Sequence, residues 1–112
     1  MNYVEIELDG KTRKLRYDFN AIADVEEKAG AGITRLFGED MVGLHVLRLL
    51  IWGGLKWNDR GLTIARVGDM LQKYLESGGE LPVLSEVIQK ALMVSGVLKA
   101  GEEGNGETGA AN

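Results

Sequence analysis

The chain has no cysteine, which excludes disulfides and thiolate chemistry without by itself assigning a compartment. It has a single histidine, His45, on an apolar stretch. A zinc-type site takes roughly three or four ligands, so one built on His45 would depend on carboxylates alone. A structural or surface role for His45 is the expectation, with no metal and no cofactor. Basic charge is not in excess. Of 17 acidic residues, Glu102, Glu103 and Glu107 lie in the last stretch, leaving 14 acidic against 13 basic groups in residues 1–100. A nearly neutral body lacks the electrostatic footprint of a nucleic-acid binder. Long hydrophobic runs are missing too. The longest unbroken apolar or glycine run is Leu49–Leu55, far below the ~20 residues that span a bilayer. The N-terminus enters an alternating pattern instead of a basic stretch followed by an apolar run, so no signal peptide is predicted. The expectation is a soluble intracellular protein with neither nucleic acid nor membrane as partner.

What is present suits one small domain. The chain has 112 residues and is 45% hydrophobic, enough for a core that buries ~65% of the unfolded surface. Val4, Ile6 and Leu8 alternate with Tyr3, Glu5 and Glu7, the period of a strand with one buried face. Asp9-Gly10 is a type I′ turn signal. A two-residue loop would pair Leu8 with Lys11, Ile6 with Arg13 and Val4 with Leu15, while Leu15 and Tyr17 extend the apolar face. Asp18 is placed to cap a helix from Phe19 to about Ala29, with Phe19, Ile22, Ala23, Val25 and Ala29 as its stripe and Gly30 as its left-handed stop. Ile33–Phe37 can add a short turn.

Asp40 is the expected cap of a helix from about Met41 to Lys56. That helix is apolar nearly all round, so it must be central or covered by another chain. Gly53-Gly54 near its end predicts close packing or a helix end. After the loop Asn58–Gly61, Thr63 caps a helix to about Leu75 with Ile64, Val67, Leu71, Tyr74 and Leu75 on one side. Pro82 fits the first turn of a last helix to about Lys99. Its stripe would be Val83, Leu84, Val87, Ile88, Ala91, Leu92 and Leu98. Residues 101–112 are rich in glycine and glutamate, hold no large apolar residue, and read as disordered. The predicted fold is α+β: an N-terminal hairpin, a bundle of about four helices in a single domain over residues 1–100, and a loose tail.

No arrangement of side chains here predicts catalysis. Glu26-Glu27 and Glu39-Asp40 are neighbours, and neighbours on a helix diverge by ~100° instead of converging across a cleft. They read as a solvated face and, for Asp40, a cap. Gly30-Ala31-Gly32 lacks the lysine and hydroxyl of a phosphate loop and follows a helix where such loops follow a strand. The helices between Thr63 and Lys99 carry only Arg66, Lys73, Lys90 and Lys99 as basic residues, too few to track a phosphate backbone. Trp52, Trp57 and the methionines, Met70 among them, are core or interface anchors. Trp52 is read as core before interface, and Trp57 is balanced between the two.

Four segments carry a resemblance to a known family: Leu15-Arg16-Tyr17-Asp18-Phe19-Asn20-Ala21 with Glu26-Glu27-Lys28-Ala29-Gly30, then Leu47–Leu55 around Trp52-Gly53-Gly54, then Leu62–Gly68. Their order over about residues 3–95 resembles the tail assembly chaperones of tailed phages, prophages and gene transfer agents. The resemblance implies a non-enzymatic factor of the bacterial cytoplasm, absent from the mature virion. Such a factor binds the tape measure protein, keeps it soluble and promotes tail-tube assembly. It also implies a longer frameshifted form that contacts the tail tube protein, and homo-oligomers on the tape measure.

The physical logic is compatible, because a chaperone with an apolar groove can cover exposed helical stripes. Composition, not the family, points to Leu44, Arg48, Trp52 and Trp57 as partner-binding residues. The alternatives are a small prophage DNA-binding regulator and a structural head–tail completion or adaptor protein.

Overall fold

A computed structural model describes residues 2–38 and 43–96. The chain opens with β1 (Tyr3–Leu8) and β2 (Lys11–Arg16) as an antiparallel hairpin in the expected register, Leu8 opposite Lys11 and Val4 opposite Leu15. The turn residues Asp9 and Gly10 have φ of 55° and 75°, the left-handed pair that a type I′ turn requires. Ile6, Leu8, Leu15 and Tyr17 are buried on one face.

Among the described residues five helices follow: α1 (Phe19–Ala29), α2 (Ile33–Gly38), α3 (Leu44–Leu55), α4 (Ile64–Glu76) and α5 (Leu81–Ser95). The short turn expected after Gly30 is thus a helix of its own, and the architecture is α+β. The expected caps of α1 and α4 are in place. Asp18 Oδ1 accepts from the Ala21 amide at 2.8 Å and Thr63 Oγ1 from the Arg66 amide at 3.0 Å. Gly30 ends α1 with φ 74°.

The most apolar helix, α3, lies at the centre, touching α1, α4, α5 and β2. Its two glycines allow that. A Cβ on Gly53 would overlap Val25 Cγ2 of α1, and one on Gly54 would come within 2.9 Å of Leu15 Cγ and 3.0 Å of Tyr17 Cζ. Glycine inside a helix costs ~1 kcal/mol against alanine, and here it lets two neighbours sit flush on the backbone. Tyr17, buried against Gly54, donates its hydroxyl to the Leu50 carbonyl.

Several expectations shift by a residue or a turn. Phe19 is 75% exposed and Ala23 is exposed, and α1 instead buries Ala21, Ile22 and Val25. Phe19 opens the helix and its side chain leans back past the helix start, beyond the core. In α4 the inward stripe is Val67 and Met70, which moves Met70 into the core and leaves Leu75 39% exposed. Val83 of α5 is exposed, out of phase with Leu84, Ile88, Ala91 and Leu92. Over the described residues α3 opens at Leu44 behind Gly43, and α5 ends at Ser95 with Gly96 at φ 80°. The expected residues Asp40, Met41, Leu98 and Lys99 and the tail 101–112 lie outside the described residues. Glu26, expected on a solvated face, is half-buried and its Oε2 accepts from the Ile33 amide at 2.6 Å. The loop after Gly30 folds back, so a carboxylate one turn before the end of α1 meets the orphan amide that opens α2.

Candidate partner-binding groove

The first half of α3 is less covered than the second. Leu47 is buried and forms a floor, while Leu44 one turn earlier is 65% exposed. Across from them α4 presents Leu71 and Leu75, and Leu81 opens α5. Together they bound a groove of about 310 Å³ whose wall is largely leucine. Its polar lining is His45, Arg48 and Gln72.

Arg48 lies across this groove because Gly68 of α4 lets it. A Cβ on Gly68 would stand 3.3 Å from Arg48 Cδ and 3.6 Å from its Nη1, so the stem runs against bare backbone. Arg48 Nη2 bonds His45 Nδ1 at 2.9 Å. Arginine only donates, so Nδ1 accepts and the imidazole is in the form whose Nδ1 is unprotonated. Arg48 Nε is buried without a hydrogen-bond partner. Leaving such a donor unpaired costs about 1–3 kcal/mol.

The structure brings Leu44 and Arg48 together and places the two tryptophans elsewhere. Trp52 is half-buried against the core and its Nε1 donates to the Leu62 carbonyl at 3.1 Å, with Lys56 Nζ 5.5 Å from its ring. Trp57 Nε1 donates to the Lys14 carbonyl at 3.0 Å, and Arg16 lies 5.2 Å over its ring. In a two-residue hairpin Leu8–Lys11, Ile6–Arg13 and Val4–Leu15 exchange the ladder bonds, so the Lys14 carbonyl points off the sheet edge and Trp57 satisfies it. Neither indole lines the groove.

The groove also takes in Leu71, Leu75, Leu81, His45 and Gly68, which the sequence does not mark as a binding surface. Gly68 carried a signal: a glycine amid a strong helical period stands where something approaches closely. Leu75 shares a helical period with Leu71 and so reads as core, yet it is 39% exposed.

Two further depressions among the described residues differ in character, the first polar and the second mixed. One runs beside β2, lined by Lys11, Arg13, Lys14 and Asp59. The other lies under the hairpin turn against α4, lined by Asp9, Lys73 and Tyr74. There Asp9 pairs with Arg66 at 2.7 Å and Lys73 at 3.4 Å. The Arg66 hydrogen bond, with Lys73 adding to it, holds the Asp9 carboxyl below the usual carboxylate range. Among the described residues no group of three or more His, Cys, Asp or Glu could hold a metal ion, and no helix is long and apolar enough to cross a membrane. No protein family, curated protein or solved structure matches the chain.

Proposed function

We propose that this chain is a tail assembly chaperone of a phage or prophage, which binds the tape measure protein, keeps it soluble and promotes tail-tube assembly. The observation that carries the reading is the leucine-walled groove between α3 and α4, with Leu44 and Leu75 open to solvent. An exposed apolar cleft between two helices accepts a third amphipathic helix, whose apolar anchors recur at i, i+3, i+4 and i+7. A tape measure helix not yet enclosed by its tube offers such a stripe. In this reading the protein makes and breaks no bond, needs no cofactor, works in the cytoplasm of the bacterial host and is absent from the finished virion. Trp52 and Trp57 then serve by fixing the loop between α3 and α4, and so the angle of the groove.

Co-expression with the tape measure protein of the same locus tests this. The tape measure should be recovered in the soluble fraction with the chain and aggregate without it. Equal solubility in both cases contradicts the reading.

A further inference from the structure

We propose that the helix seated in the groove carries a carboxylate on its apolar face, and that this carboxylate takes over Arg48 from His45. The inference rests on the chaperone reading, because it names the chemistry of the same groove's occupant.

Among the described residues that line the groove, Arg48 alone carries a fixed charge, and none is acidic. An occupant that is apolar throughout would leave that cation desolvated and unanswered when it closes over the leucines. Arg48 is also under-used as it stands. Its Nη2 has only a neutral acceptor, His45 Nδ1, and its Nε–H is buried with no acceptor. Nε and Nη2 share one edge of the guanidinium, the edge that a carboxylate grips with both oxygens. His45 is exposed and its Nδ1 bonds Nη2 of Arg48, so its ring can swing out and clear the guanidinium edge that Nη2 shares with Nε. The result exchanges a neutral bond and an orphan donor for a bidentate charge-assisted pair inside a leucine ring. Gly68 keeps the stem of Arg48 against α4 and the guanidinium within the cleft. The geometry therefore selects Asp or Glu flanked by leucine-like residues one turn away on either side.

The test uses the full chain and two synthetic Leu-rich helical peptides that differ only in one glutamate or glutamine on the apolar face. Titration calorimetry should show the glutamate peptide binding tighter by roughly tenfold, the size expected of a charge-assisted bond over a neutral one. Arg48→Met should erase that preference, and Arg48→Lys, which keeps the charge but not the fork, should keep only part of it. Thermal melts check that each variant is folded. His45→Ala, at an exposed position, should tighten the glutamate peptide because the competing acceptor is gone.

Equal affinities of the two peptides for the wild-type chain, or no binding of either, overturns the inference. So does a dimer of the chain that the glutamate peptide fails to dissociate, since the groove would then hold a second copy. Co-expression separates this from the parent reading. A tape measure kept equally soluble by wild type and Arg48→Met sinks the carboxylate pairing and leaves the chaperone standing. One kept soluble by neither sinks the chaperone, while the peptide titration still decides what Arg48 binds.

Discussion

Single residues set the tolerances of this molecule, and the glycines of α3 and α4 show two kinds. At Gly53 a methyl group would meet Val25, a stiff β-branched side chain of the core. Gly53→Ala should therefore destabilise by about 1–3 kcal/mol despite its better helix propensity, as overpacked cores do. Urea unfolding reads it as a lower midpoint at unchanged slope. At Gly68 the neighbour is the flexible stem of Arg48, 3.3 Å from the new Cβ. That stem can give, so Gly68→Ala should gain about 0.5–1 kcal/mol from helix propensity and push the guanidinium out of place. The expected signature is a raised melting temperature with weakened binding in the groove.

Tyr17 is a third such residue. Burial pushes its phenol well above the ordinary tyrosine range. A raised folded value means that its contribution is complete below the unfolded value and declines as pH rises past about 10. Wild-type stability should fall above about pH 10 by more than that of Tyr17→Phe. Below that pH the variant should be weaker by about 1–2 kcal/mol for its lost bond to the Leu50 carbonyl.

Elements are held to one another by a few side chains at their ends. The hairpin turn is tied to α4 through Asp9, Arg66 and Lys73, α1 to the end of α3 through Asp24 and Lys56 at 2.6 Å, and α1 to α2 through Glu26. Because the Asp9 carboxyl is held low, its tie is present above the ordinary aspartate value and lost as pH falls through the folded one. Asp9→Asn keeps a residue that tolerates positive φ and removes the charge. It should lower stability at neutral pH, and the gap from wild type should close as pH falls below about 4. Unfolding midpoints at neutral and acid pH measure that closure.

Local signals at this scale were readable in advance. Alternation, an Asp-Gly turn and capping hydroxyls or carboxylates gave the register of the hairpin and the starts of α1 and α4. Phase was harder. Phe19, Leu75 and Val83 fit a helical period as well as their buried neighbours do, and only the position of the partner elements decides which edge of the stripe is covered. The tie between Glu26 and Ile33 was hidden because it depends on how the chain folds back after Gly30.

For the whole molecule, the decisive asymmetry is that α3 is buried along its second half and open along its first. The sequence showed that α3 is too apolar to stand alone, and it pointed to Leu44 and Arg48. It did not show the opposite wall, because Leu71, Leu75 and Leu81 come together only when α4 and α5 each pack against α3. Trp52 reads as core before interface and Trp57 as balanced between the two, and the fold uses the indole N–H of each to hold a backbone carbonyl. The function proposed here depends on that open half of α3.

The most direct measurement is the soluble fraction of the tape measure protein when it is co-expressed with wild-type chain or with the double variant Leu44→Ser, Leu75→Ser. Both leucines are exposed, at 65% and 39%, so the variant should fold, as its melting curve will show. Soluble tape measure with the wild type and aggregated tape measure with the folded variant is the predicted result. Equal solubility with the two would contradict the claim that this groove shields the partner.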